Sequence, residues 1–334
     1  MLYICLNEKS KNKDSSIFSN ENDTIIESNN RITKIKYYFN NIMNYLLKKD
    51  VVDIWKEWKG NFKEKKVDDK KIIILPNLKQ NSLKKLDRYL KINCTKTVCI
   101  SEKLMKNTEF KNYLNGQGIK ILNGIWLYKH LIIKIIEYIV NIKNEKIENQ
   151  EISILVNDLD EIIVENINEI SSKIKLLNII TDNENRFKKL EKNIYEEKGI
   201  LLNINNNYKK GLLKSDIIIN IDFDDEKINK YIFPKIACLI NLEKDINIKQ
   251  KGFEGVFINF YEIFMPEKYI KILSNFKDFN FPILYESFIY KRTCSANIKK
   301  EIENDDVKIK NLIGKNGIIR KKELLDLTEN KIYN

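Results

Sequence analysis

Five short aliphatic runs constrain this chain more than any other feature: "EISILVN" (151–157), "LLNIITD" (176–182), "ILLNINN" (200–206), "DIIINID" (216–222) and "KIACLINL" (235–242). Stretches with helical apolar spacing lie at 160–174, 184–198 and 225–232. A five-residue run in which at least four residues are apolar, without strict alternation, is stable as a strand only if both of its faces are covered. A parallel neighbour also needs a crossover of about a dozen residues, which a helix supplies. The pattern predicts a parallel sheet with helices on its faces.

The first third repeats the rhythm less fully. "LYICL" (2–6), "KIIILP" (71–76), "TVCIS" (97–101) and "IKIL" (119–122) read as strands, and "SLKKLDRYLK" and "KLMKNTEFKNYLNG" as helices. Between them, 11–30 is polar and reads as a loop, whereas 33–58 has helical spacing at Ile35, Phe39, Ile42, Met43, Leu46 and Leu47 and ends near Trp55 and Trp58. "NGQG" (115–118) precedes a strand instead of following one, so it is no phosphate loop, and Gly116 is expected as the left-handed residue closing a helix. "IWLYKHLIIKIIEYIVNI" (125–142) is apolar almost all round, but Lys129, His130, Lys134 and Glu137 interrupt it, which predicts a buried helix and not a membrane span. The expected architecture is two α/β domains joined by that long buried apolar helix, the second a Rossmann-like parallel sheet. The expected bounds are 1–145, 146–265, and a C-terminal helical extension over 266–334. Within the extension, a helix over 267–292 breaks at Pro282, and Gly314 and Gly317 shape a turn.

The second domain resembles a known group. "NIITDNENRFKKLEKNI" is similar to the second strand and helix of the nicotinamide-binding domains of glutamyl-tRNA reductase and shikimate dehydrogenase, and "LLKSDIIINID" is similar to their fourth strand. The resemblance covers about residues 150 to 245 and implies an NAD(P)-binding fold. It departs at the first turn. Those families place glycines there, so that a helix N-terminus can hold the pyrophosphate. This chain has Asn157, Asp158, Leu159, Asp160 and Glu161. A carboxylate ~5 Å from a phosphate at an effective dielectric of ~20 repels it by ~3 kcal/mol, roughly 100-fold in affinity. Asn157, Asp158, Asp160, Asp182 and Asp222 are the turn residues that any retained nucleotide would meet. Asp158 or Asp160, and the acids of "DFDDE" (222–226), are expected to cap helices. A divalent cation held by Asp158, Asp160, Asp222 and Asp224 is the competing reading.

Other chemistry is sparse. His130 is the single histidine and is expected as a satisfied core residue, and neither H-E-x-x-H nor G-x-x-x-x-G-K-[ST] occurs. "KRTCSAN", around Cys294, faintly echoes the nucleophile segment of glutamyl-tRNA reductase without its following basic residue. Cys5, Cys94, Cys99, Cys238 and Cys294 are odd in number and form no C-x-x-C pair, so small buried hydrophobes are expected. The net charge is +12, but only Arg31, Arg88, Arg186, Arg292 and Arg320 are arginines among 59 basic side chains. Lys, Asn and Ile have A/T-rich codons, so a low-GC genome accounts for most of the excess. Nucleic-acid binding is expected to be non-specific where it occurs. The opening "MLYICLNEKSKNK" lacks a basic stretch ahead of a long apolar core, so a cytoplasmic protein is expected. The leading expectation is a protein without catalytic residues or cofactor that uses the scaffold to meet a protein partner or to regulate. An NAD(P)-dependent oxidoreductase or other nucleotide-binding enzyme is the alternative, and a basic RNA- or DNA-associated protein a second.

Overall fold

The computed structural model describes residues 1–7, 60–174, 176–242, 246–290 and 298–332. The stretches expected as a loop over 11–30 and as a helix over 33–58, with Trp55 and Trp58, lie outside the described residues, as does "KRTCSAN". The chain divides into two compact units, Met1–Asn123 with Lys271–Asn280, and Gly124–Ile270 with Phe281–Asn334.

In the first unit β1 (Leu2–Leu6) is central, parallel to β3 (Lys70–Leu75) on one side and to β4 (Thr97–Ile100) on the other, with β5 (Lys120–Ile121) beyond β4. β2 (Lys63–Val67) pairs antiparallel with β3 and forms the border of the sheet. Its sequence, KEKKV, carries no apolar period, so it escapes a hydrophobicity reading. Lysines at a sheet border discourage pairing with other chains. Leu2, Ile4, Ile73, Leu75, Val98 and Ile100 form one face of the core. They meet Leu86 and Leu90 of α1 (Gln80–Ile92), Leu104 of α2 (Glu102–Met105), and Phe110 and Leu114 of α3 (Thr108–Gly116). On the other face Tyr3 is fully buried against the edges of Phe276 and Phe279, with centroids 4.9 and 5.9 Å away. The single helix expected over "KLMKNTEFKNYLNG" is two, because Asn107 stops α2 and caps α3, accepting the Phe110 amide at 2.8 Å. Gly116 is not the left-handed residue: α3 runs through it, and Gly118 takes φ +70.

The second unit opens on α4 (Ile125–Ile142), whose buried set includes Leu127, Leu131, Ile135 and Ile139. The charges that interrupt it lie on its other stripe: Lys129 reaches Asp160 and Glu137 reaches Lys173, at the two ends of α5 (Glu161–Lys173). Among the described residues no helix is long and apolar enough to cross a membrane. The six-stranded sheet comprises β6 (Glu151–Leu155), β7 (Leu176–Ile180), β8 (Asn203–Asn205), β9 (Ile217–Asn220), β10 (Cys238–Asn241) and β11 (Val256–Ile258). Every pairing in it is parallel, and the spatial order is β11-β10-β9-β6-β7-β8. Counted from β6, that is the 3-2-1-4-5-6 order of a doubly wound dinucleotide fold. The second unit is therefore Rossmann-like by its own topology. α5 and α6 (Glu184–Lys198) are its first crossovers.

Two expected elements are shorter than their spacing suggests. The third strand is confined to 203–205, and the helix expected over 225–232 ends at Ile228 as α7 (Asp225–Ile228). Asn229 ends α7 by donating its side-chain amide to the Asp225 and Asn247 carbonyls, which lets Tyr231 and Phe233 turn into the core. "GVFINFYEIF" is two strands: after Asn259 the chain leaves the parallel sheet and continues as β12 (Phe260–Ile263) in an antiparallel sheet with β13 (Ile309–Gly314) and β14 (Gly317–Ile318). The stretch read as a helical extension thus contains strands as well as α8 (Glu267–Leu273), α9 (Phe281–Ile289), α10 (Ile298–Asn304) and α11 (Lys321–Ile332). Pro282 stands in the first turn of α9, where its missing N–H breaks no helical bond.

Candidate functional site

In an α/β sheet of this order, ligands bind at the carboxyl ends of the strands where the order reverses. Here that place lies between β6 and β9, and it is formed by the turn 156–160 after β6 and the turn 221–224 after β9. The Asp222 carboxylate crosses between the two turns. Both of its oxygens accept the Asn157 amide, each at 2.9 Å, and Oδ2 also accepts the Asp158 amide at 2.9 Å. A charged acceptor on backbone donors makes a short, strong bond. The donors involved are those that a glycine-rich turn would offer to a pyrophosphate. Burial pushes the Asp222 carboxyl above its ordinary range; the two amides pull it down, Asp158 raises it and Lys227 lowers it.

A ladder of buried amides holds this carboxylate in place. Asn220 is fully buried at the end of β9; its Oδ1 accepts the Phe223 amide at 3.0 Å, and its Nδ2 donates to the Phe223 carbonyl and to Asn241 Oδ1, both at 2.8 Å. Asn241 lies opposite it in register at the end of β10. Buried side-chain amides of this kind are stable only when bonded, and once bonded they fix one geometry. The turn that presents Asp222 is locked from beneath.

The first turn is fastened on its other side too. Asn157 Oδ1 accepts the Asp182 amide at 3.0 Å and the Thr181 hydroxyl at 3.3 Å, joining the ends of β6 and β7. Asp182 stands at the end of the second strand, where dinucleotide folds place the acid that reads a ribose. Its carboxylate is paired with Lys227, whose ammonium also lies 3.9 Å from the centroid of the Phe223 ring. Asp158 points to solvent and pairs with Arg186 at 2.9 Å, while the second guanidinium nitrogen donates to the Leu159 carbonyl at 3.2 Å.

Of the acids singled out in the sequence, Asp222, Asp158 and Asp182 are brought together with Asn157, and Asp160 and Asp224 stand apart from them as helix caps. Asp160 Oδ1 accepts the Ile163 amide at 2.8 Å and its other oxygen meets Lys129 at 2.9 Å; Asp224 accepts the Lys227 amide at 2.9 Å. Among the described residues no group of three or more His, Cys, Asp or Glu side chains could hold a metal ion. The roles of Arg186, Lys227 and Asn220 escape a reading of the sequence. Asp222 was legible as a strand-end acid, but its role depends on β9 lying beside β6, and the order of strands along the chain does not state that.

His130 departs from expectation. It is buried, yet neither ring nitrogen has a hydrogen-bond partner among the described residues; the edge of Trp126 lies 4.8 Å from it, centroid to centroid. Burial, with Lys299 next in effect, holds its pKa down at about 4, against a smaller opposing pull from Asp160. Cys5, Cys99 and Cys238 are buried, the last with its thiol pushed up to about 12 by burial, whereas Cys94 is exposed. Cys94 follows the end of α1 with φ +47.

No protein-family model and no curated protein matches the chain. Among solved structures it is similar to a shikimate dehydrogenase in complex with NADP+, at 13% identity over 51% of this chain and 66% of the other, with a TM-score of 0.24. It is similar to an N-acetyl-L-ornithine transcarbamylase at 7% identity, over 51% and 68%, with a TM-score of 0.25. It is similar to L-tryptophan dehydrogenase from Nostoc punctiforme at 10% identity, over 79% and 76%, with a TM-score of 0.30. The chain thus spans just under two thirds of the shikimate dehydrogenase.

Proposed function

We propose that the second unit is a Rossmann-like scaffold used for interaction or regulation in the cytoplasm, without a dinucleotide at its first turn and without catalysis by that turn. One observation carries the reading: the Asp222 carboxylate takes the amides of Asn157 and Asp158. A pyrophosphate would have to displace a charged acceptor that three bonds and the Asn220 ladder hold in position.

The test is a titration of the full chain with NAD+, NADH, NADP+ and NADPH, followed by thermal melting. A ligand at 100 times its dissociation constant stabilises a protein by ~2.7 kcal/mol. No saturable rise in melting temperature is expected at sub-millimolar cofactor. Asp222→Ala removes the internal acceptor, so the same titration on that variant is expected to show weak binding that the parent lacks. The second reading, an NAD(P)-dependent oxidoreductase, is favoured by the 3-2-1-4-5-6 strand order and by Asp182 at the end of the second strand. Saturable stabilisation of the unaltered chain by one of the four cofactors would replace the first reading with the second.

A further inference from the structure

The first unit holds a cavity of about 640 Å³ at the β2–β3 border of its sheet, within the usual range for small-molecule sites. Topology places it. Asn7 and Pro76 line the cavity and directly follow β1 and β3, so it opens at the carboxyl ends of parallel strands, the end at which α/β sheets bind ligands. Phe62, Ile74, Pro76, Ile92 and the ring of Tyr89 supply apolar lining, and Phe62 meets Tyr89 edge-on at 5.3 Å between centroids.

The charges that line it have one sign. Lys63, Lys85 and Arg88 contribute to the wall, and none of the lining side chains is acidic. Lys85 donates to Asn61. The neighbouring acid on α1, Asp87, is held 2.8 Å from Lys91. Arg88 has no hydrogen bond or ion pair among the described residues, which leaves its planar donor fork open to a carboxylate or phosphate. Glu64 is the acid felt nearby: burial and then Glu64 push the Tyr89 hydroxyl up to about 12, and Lys71 lies 3.7 Å from the Glu64 carboxylate.

An apolar lining with an unneutralised guanidinium suits one chemical class. A fully charged metabolite would gain little from Phe62 and Tyr89, and a neutral hydrophobe would leave Arg88 unused. We propose that this cavity binds a small amphipathic anion, an aromatic or aliphatic body that carries one phosphate or carboxylate, with the body against Phe62 and Tyr89 and the anion on Arg88. The site is independent of the turn between β6 and β9.

Calorimetric titration of the full chain with 1-naphthyl phosphate, 1-naphthoate, 1-naphthol and inorganic phosphate tests it. At least one of the two aryl anions is expected to saturate, at least tenfold tighter than both naphthol and phosphate, and the tighter of the two identifies the head group. Arg88→Glu is expected to weaken that binding at least tenfold while leaving the melting temperature unchanged, because Arg88 is exposed and unpaired. Ile92→Glu, at a residue 81% exposed, is expected to weaken it as well without unfolding the chain. The proposal is overturned if neither anion saturates, if naphthol binds as tightly, or if Arg88→Glu binds like the parent.

Discussion

Asp160 and Asp224 act alike at two strand-to-helix turns, each accepting the amide three residues on. Asn caps nearly as well as Asp, so Asp160→Asn and Asp224→Asn are expected to change stability by less than ~1 kcal/mol in urea melts, and the Ala variants to lose about 1 kcal/mol. Melting in Mg²⁺ or Mn²⁺ separates capping from metal binding: a rise in the parent that disappears in both Asn variants would place a metal at these turns. His130 gives a pH signature. Its folded pKa, about 4, lies below the unfolded value near 6.5, so its neutral form stabilises the fold above pH 6.5 and that contribution is lost as pH falls toward 4. The loss reaches about 3 kcal/mol. His130→Leu is therefore expected to gain on the parent between pH 7 and 4 in denaturant melts, and parallel pH profiles would refute the assignment. Asp222 runs the opposite way. Its folded pKa is raised, so the folded state takes up the proton first. That contribution is present below the unfolded carboxyl value and is lost as pH rises through the raised one, and Asp222→Asn is expected to flatten this part of the profile.

At the scale of elements, the aliphatic runs were legible because burial on both faces favours apolar residues at most positions, with one buried polar residue in each strand: β6, β7, β9 and β10 lie inside the segments that the sequence marks. What escaped was held by single polar residues or by strands without apolar period. Asn107 divides α2 from α3, Asn229 ends α7, and β2 is lysine-rich. The start of α4 is a demanding junction. Gly124 takes φ +85, and a Cβ there would come within 2.7 Å of the Phe260 ring. Its carbonyl also accepts the Tyr261 hydroxyl at 3.2 Å. Gly124→Ala is expected to cost at least about 2 kcal/mol from left-handed strain and overpacking, read as a lower denaturation midpoint. Gly118→Ala, also at positive φ but with open space around its Cβ position, is expected to lose only the strain term of roughly 1 kcal/mol or slightly more.

For the whole molecule, the βαβ rhythm announced parallel sheets, but lateral strand order decides which turns meet. The candidate site was accordingly half legible: its acids were visible, and the pairing of Asp222 with the first turn was not. Scarce arginine carries a prediction at this scale. Any binding to RNA or DNA is expected to be sequence-indifferent and to fall steeply with salt, as counterion release requires; selective binding that survives ~200 mM salt would contradict it.

The same strand order sets a schedule for synthesis. β6 is made first and gains β7 and then β8 on one flank, while its other edge waits for β9, which begins at Ile217. At 5–20 residues per second the roughly 60 intervening residues take about 3 to 12 s to emerge from a ribosome. Throughout that interval the nascent chain presents a bare, largely aliphatic strand edge, and the Asn157 and Asp158 amides have no carboxylate above them. A chain stalled before Ile217 would be a sticky species and a natural client for a ribosome-associated chaperone, whereas one released past Asn241 would have both flanks of β6 closed.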